Sequence, residues 1–209
     1  MRSIRFARDA DAERILDIYR PYILETSITF EEEVPVREEF RERIRAISAE
    51  YPYLVCEEDG VVVAYAYAHQ YQGRASYRWN AELSVYAEHS AQRKGIGRAL
   101  YGALLEILRL QGIRNVYALI TVPNQNSRAL HEAMGFRRLG EYRQTGYKRG
   151  KWHDVAIYEK SIGSHAPNPA PLVPVRALDR EVLNEILFRH SRVLEAKLRE
   201  SRCEFRTEN

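Results

Sequence analysis

The segment Gln92-Arg93-Lys94-Gly95-Ile96-Gly97 leads directly into a strongly apolar helix carrying Leu100, Leu104, Leu105, Ile107 and Leu108, which Gly112 ends. A strand reading precedes it, so the unit is strand, glycine loop, helix. Two glycines one residue apart let backbone N–H groups converge on an anion at a helix N-terminus, where the macrodipole also favours negative charge. Arg93 and Lys94 add cations at the same place, and the arrangement suits a pyrophosphate. It is not a Walker loop, because no Gly-Lys-Ser/Thr follows. Nor is it the dinucleotide fingerprint, since the third glycine is missing and the preceding unit is not β-α-β. Taken alone, a Gly-x-Gly before a helix is equally an ordinary tight turn.

Around this unit the hydrophobic pattern predicts an alternation of strands and helices. Ile4 and Phe6 mark a first strand. Asp9 or Asp11 is placed to cap the helix of Ile15, Ile18, Tyr19 and Tyr22. A loop follows, and Pro35 opens a second helix through Phe40, Ile44 and Ile47. Strands are expected over 53–57 and 61–69, joined by the turn Glu58-Asp59-Gly60, and over 77–86. Beyond the apolar helix come a strand over 116–122, a helix from about Asn126 to Met134 stopped by Gly135, and strands over 136–147 and 154–159. The order β-α-α-β-β-β-α-β-α-β-β is that of a mixed sheet flanked by helices.

After Ile162 the composition changes. Residues 163–174 hold Pro167, Pro169, Pro171 and Pro174 and read as an extended linker. Then Leu183, Leu187, Leu194 and Leu198 share one face of a helix, with Val182 and Ile186 beside them, while His190 and Lys197 interrupt the stripe. With fewer than four clean heptads, that helix is expected to pack on the domain or a partner rather than form a coiled coil. The division expected is a domain over 1–162, a linker over 163–176 and a helical tail over 177–209.

The chain has 32 Lys and Arg against 29 Asp and Glu, a net charge of +3 with no long basic run, which argues against a nucleic-acid partner. Its fourteen tyrosines do not change that, since Tyr53, Tyr65 and Tyr67 fall at strand positions. No stretch approaches the ~18 apolar residues of a membrane span, and no apolar leader follows Met1. Cys56 lies in a strand pattern and Cys203 in a polar tail, so no disulfide is expected and a cytoplasmic, reducing setting is. His153-Asp154 has no second cluster at ligand spacing, so no metal site is expected and the pair reads as a structural turn. No serine nucleophile elbow appears.

Further pieces accompany the glycine loop: Asn126-Ser127-Arg128-Ala129, His131-Glu132-Ala133-Met134-Gly135-Phe136, Ala81-Glu82-Leu83-Ser84-Val85-Tyr86, Tyr51-Pro52-Tyr53-Leu54-Val55 and Gly150-Lys151-Trp152-His153-Asp154-Val155. In this company, over about residues 2–160, the chain resembles the GNAT superfamily of N-acetyltransferases. Within it, the phosphinothricin and methionine sulfoximine or sulfone acetyltransferase branch is the nearest likeness.

The resemblance implies an α/β GNAT fold: a mixed, mostly antiparallel sheet of about seven strands, about four flanking helices, and here an extra C-terminal helix. It implies acetyl-CoA as cosubstrate, contacted by Ser84, Val85 and Tyr86, by the loop Gln92, Arg93, Lys94, Gly95, Ile96, Gly97 and Arg98, and by Asn124, Asn126 and Ser127. At the position two residues after Ala129, where most GNAT chains have tyrosine, this one has His131.

An ammonium group near neutral pH is not nucleophilic, so a base must take its proton. Glu82 is the candidate, and the resemblance places the family's glutamate there. A glutamate of this kind, met without the neighbouring pieces, is more often a solvated strand residue or an ion-pair partner. The developing oxyanion needs a preorganised donor, for which the backbone N–H of Val85 or of a neighbour is placed. His131 is a candidate to protonate the leaving thiolate or to bond near the cofactor sulfur, and equally a structural histidine.

Arg74, Tyr77 and Arg78 offer forks and a hydroxyl for a small carboxylate, and Phe30 is implied as a pocket residue across a homodimer interface. Gln72 stands where phosphinothricin-specific members have lysine, which removes a cation that would favour a phosphinate. The expected reaction is direct acetyl transfer to the primary amine of a small amino-acid-like substrate. Another amine (a peptide N-terminus, a polyamine, an aminoglycoside) and a non-catalytic coenzyme-A-binding module stand as alternatives.

Overall fold

A computed structural model describes residues 1–207, with side chains through Ala196. It contains β1 (Arg2–Phe6), α1 (Ala12–Glu25), α2 (Arg37–Glu50), β2 (Tyr53–Glu58), β3 (Val61–Gln70), β4 (Asn80–Ala87), α3 (Ile96–Gln111), β5 (Asn115–Val122), α4 (Gln125–Ala133), β6 (Arg137–Lys148), β7 (Lys151–Ser161) and α5 (Arg180–Thr207). The seven strands form one sheet in the order β1-β2-β3-β4-β5-β7-β6. All neighbours are antiparallel except β4 and β5.

Strand alternation sorts the core into two layers. Tyr53 and Val55 of β2, with Tyr65 of β3, meet Ile15, Ile18 and Tyr19 of α1 and Phe40 and Ile44 of α2. On the opposite face Leu54 and Cys56 join Ala64, Ala66, Ala68 and Ala81, small residues that let the leucine-rich face of α3 lie close to the sheet. The β2–β3 turn has Asp59 at φ 52° and Gly60 at φ 85°, the paired positive angles of a tight hairpin. Gly112, at φ 92°, closes α3 by donating to the Leu108 and Arg109 carbonyls, as the sequence predicts.

Four expectations need correction. The Asp11 side chain does not cap α1; its carboxylate accepts from the Arg8 N–H at 2.7 Å and from the Arg5 guanidinium at 2.7 and 2.8 Å. Asp9 instead pairs with Arg45 of α2 at 2.6 Å. Strand β4 starts at Asn80, because residues 75–77 close a 3₁₀ turn in which the Arg74 carbonyl accepts from Tyr77 N–H. His153-Asp154 lies within β7, where Asp154 Oδ1 accepts from Gln144 N–H at a bulge of β6.

The tail packs on the body. Val175, Leu183, Ile186, Leu187 and Leu194 are buried in the same core as α3. His190 lies over Gly102, whose missing side chain makes the room, and its Nε2 reaches Glu106 Oε1 at 2.8 Å. The N–H groups of Arg2 and Ile4, on edge strand β1, donate to Glu195 Oε2 and Ser191 Oγ of α5, each at 2.8 Å. The side chains of Lys197, Leu198 and Cys203 lie outside the described residues.

Candidate active site

Strands β4 and β5 pair only from Asn80↔Asn115 to Glu82↔Tyr117 and then separate. A parallel ladder that stops early leaves backbone groups facing a gap. Ala87 shows which ones: its N–H and C=O turn away from β3 toward the Tyr22 hydroxyl, at 3.4 and 2.5 Å. Val85, two residues earlier, points the same way by strand alternation. The gap opens into a cleft of about 540 Å³ between β4 and β5, closed by the N-terminal ends of α3 and α4.

At the cleft's floor the glycine loop makes the turn that its composition requires. Gly95 occupies the N-cap of α3 at φ 79°, and Arg93 also has positive φ, 59°. A Cβ on Gly97 would lie 3.3 Å from Leu130 of α4, so a glycine there lets the two helix starts converge. Gln92 donates from Nε2 to the Tyr22 hydroxyl at 3.1 Å. Ser84, Val85, Tyr86, Gln92, Arg93, Gly95, Ile96, Gly97 and Arg98 all line the cleft, whereas Lys94 stands exposed outside it. From the far wall come Asn126, Ser127 and Asn124, the last also capping α4 through Oδ1 to the Ser127 N–H at 3.1 Å.

His131 reaches the same cleft although it is only 2 % exposed. Its Nδ1 lies 2.7 Å from the Ser127 carbonyl, an acceptor only, so Nδ1 carries the hydrogen and Nε2 the lone pair. Burial lowers the ring's pKa below its ordinary value, with the Ser127 bond partly opposing.

Glu82 sits one pleat from Ser84 on the same face of β4, just outside the cleft lining. Desolvation holds its carboxyl above the ordinary range, and His69 across the ladder pulls the other way. Cys56 is buried in the core, its thiol pushed up to about 12 by burial, which leaves it a poor nucleophile.

Arg74, Tyr77 and Arg78 are not brought to the cleft. All three stand exposed on the β3–β4 connection, where Arg78 Nε donates to the Ala75 carbonyl and its guanidinium lies 5.2 Å from the Trp79 ring centre. Phe30 also lies outside the lining, its ring over Gly146 and 6.3 Å from that of His153. Its segment is anchored by Lys148, whose Nζ donates to the carbonyls of Ile23, Thr29 and Glu31 at 2.6–2.8 Å. Sequence reasoning missed Tyr22 as an anchor of the glycine loop, Tyr101 as the partner of His131, and His69 as the partner of Glu82.

The model of the acetyltransferase (GNAT) domain matches residues 4–157. The chain belongs to the GNAT acetyltransferase family. This GNAT chain is 39 % identical over 172 residues to a phosphinothricin N-acetyltransferase of Streptomyces viridochromogenes, covering 82 % of itself and 93 % of that protein. It is 32 % identical to an L-methionine sulfoximine/L-methionine sulfone acetyltransferase of Salmonella typhimurium, over 78 % of itself and 96 % of the relative. Among solved structures it is similar to a GNAT phosphinothricin acetyltransferase of Sinorhizobium meliloti in complex with AcCoA. That match has a TM-score of 0.78 at 36 % identity, with 81 % and 93 % of the two chains covered. The GNAT fold accounts for the seven-stranded sheet, and the chain is an N-acetyltransferase.

Proposed function

We propose that this enzyme acetylates the α-amine of a small amino-acid-like substrate, with Glu82 as general base, and that its cleft between β4 and β5 holds acetyl-CoA. The observation that carries the reading is the separation of β4 from β5 directly beyond Glu82, which sets an elevated carboxyl against a cleft floored by a helix N-terminus. The residues present fit the cosubstrate: the glycine loop and Arg93 for the pyrophosphate, and the free edge of β4 at Val85 for the pantetheine. When bound, acetyl-CoA supplies the acetyl group as an activated thioester. Glu82 takes the ammonium proton, and the Val85 N–H steadies the charge that develops on the carbonyl oxygen. As the C–S bond breaks, the coenzyme A sulfur takes the second N–H proton of the amine, and His131, neutral with both ring nitrogens engaged, positions the Tyr101 hydroxyl on that side of the cleft.

The substrate class follows the relatives named for phosphinothricin and methionine sulfoximine, with Arg74 and Tyr77 as carboxylate partners. In that role they need the β3–β4 connection to fold inward over the amine. The exposure of these residues favours a second reading, in which the same chemistry serves a different primary amine. We assign the functional unit as a cytoplasmic homodimer; the exposed aromatic surface of Tyr142, Tyr147 and Trp152 on β6 and β7 supports the pairing.

Thiol release from acetyl-CoA, measured with phosphinothricin, methionine sulfoximine, methionine sulfone, free amino acids, a peptide and a polyamine, tests the proposal. Turnover with the first three that Glu82→Gln reduces by roughly 10²–10⁴-fold supports it. Turnover only with the peptide or polyamine moves the substrate, and an undiminished Glu82→Gln removes the base.

A further inference from the structure

His69 of β3 and Glu82 of β4 are cross-strand partners, and their side chains face each other with Nε2 4.0 Å from Oε1. The histidine side chain is 35 % exposed and the glutamate 19 %, so the pair runs from the edge of solvent toward the interior. Nδ1 of His69 lies 3.0 Å from the Gln70 carbonyl oxygen. That oxygen can only accept, so Nδ1 carries a hydrogen. A neutral ring then turns the bare lone pair of Nε2 toward a carboxylate, two acceptors face to face. The contact is favourable only when one proton belongs to the pair, as imidazolium with carboxylate or imidazole with carboxylic acid.

The surroundings leave this proton to the two residues. Tyr67 on β3 has its ring centre 5.9 Å from that of His69, Tyr117 on β5 is the ladder partner of Glu82, and Tyr71 stacks on Tyr117 at 4.1 Å. These phenols, and Tyr101 of α3, titrate above their ordinary value because of burial. The charges of Glu31 and Arg43 act on Tyr67 from the α1–α2 side and are paired with each other at 3.0 Å.

We propose that His69 is a positioning and proton-export residue for Glu82, forming with it a dyad that carries the substrate's ammonium proton to solvent. This rests on Glu82 being the base. The steps balance: the N–H bond of the ammonium breaks as an O–H bond forms on Glu82, that proton passes to Nε2 of His69 once the two side chains close from 4.0 Å to hydrogen-bond distance, and the imidazolium releases one proton to water. Converting an ammonium and a thioester into an amide and a thiol releases one proton per turnover, which is the proton that leaves by this route.

The experiment compares the full-length enzyme with His69→Gln, which keeps a polar side chain of similar reach and cannot titrate. Carbon-detected NMR follows the Glu82 carboxyl across pH in the free protein. Thiol release with L-methionine sulfone gives the pH profile of kcat/KM. The dyad requires the Glu82 midpoint to move up by about one pH unit in His69→Gln, as expected when an opposite charge at this distance is lost. The acid limb of kcat/KM should move with it. A Glu82 midpoint that stays put overturns the dyad, whatever happens to the rate. A midpoint that moves while Glu82→Gln keeps full turnover sinks the base assignment instead, and the export role with it.

Discussion

Tyr101 donates its hydroxyl hydrogen to Nε2 of His131 across 3.3 Å, while Nδ1–H of the same ring is held by the Ser127 carbonyl. Both ring nitrogens are therefore engaged, and the imidazole is fixed in one tautomer at the cleft wall. His131→Phe should leave the Tyr101 hydroxyl unpaired in the core and cost roughly 1–3 kcal/mol. It has a pH signature as well. The folded-state pKa lies below the ordinary 6.5, so the neutral ring's contribution is present above that value and lost as pH falls through the folded pKa. Thermal melts should show the wild type losing stability on acidification below about pH 6.5 more steeply than His131→Phe.

Glu82 has the opposite sign. Its folded pKa is raised above the ordinary 4.5, so the native state holds the extra proton, and stability falls as pH rises through the raised value. Glu82→Gln should match the wild type in melting temperature near pH 4 and exceed it near pH 8, while losing turnover. A variant that is less stable at both values would show that the carboxylate serves the fold.

Gly95 sits at φ 79°, where an alanine is strained by about 1–2 kcal/mol. Gly95→Ala should weaken acetyl-CoA binding by about 5–30-fold in calorimetry if the loop relaxes out of its binding shape. The KM for the amine should change little.

Lys148→Met removes three charge-assisted bonds that hold residues 23–31 beside the cleft. A loss of roughly 1–3 kcal/mol is expected, together with a raised KM for the amine and a near-normal affinity for acetyl-CoA. Equal effects on both ligands would mean that the segment supports the whole cleft.

Removing residues 163–209 strips Leu183, Ile186, Leu187 and Leu194 from the main core. At about 1.5–3 kcal/mol for each buried side chain, the loss is about 6–12 kcal/mol, as large as the stability of an ordinary domain. Chemical denaturation of the truncated chain should show a collapse in midpoint or an insoluble product. A truncation that melts like the full chain would show the tail to be independent.

The element order was legible because each element carries its own period and punctuation, as in the Asp59-Gly60 turn and the Gly112 helix end. The cleft lining from Ser84 to Arg98 was legible because a motif names a stretch of backbone, and the backbone is what lines the gap. What escaped were residues whose partner lies far away in sequence. Tyr101 occupies an apolar position of α3, and nothing within one turn of it reveals a histidine thirty residues on. His69 reads as the end of a strand until the β3–β4 register sets it opposite Glu82. Asp9 and Asp11 look like caps locally, but Arg45 and Arg5 offer guanidinium partners that a helix N-terminus cannot match.

The α5 contacts to β1 also bear on the order in which the molecule is completed. Arg2 and Ile4 find their outer hydrogen-bond acceptors 193 and 187 residues later, in α5. Contacts of such separation form late, since the entropy of closing so long a loop must be met before they can contribute. Strand β1, made well before α5, is thus completed only when that helix docks. Until α5 docks, its outer edge is an open template for another strand, so the interval between synthesis and tail closure is when this chain is most exposed to aggregation.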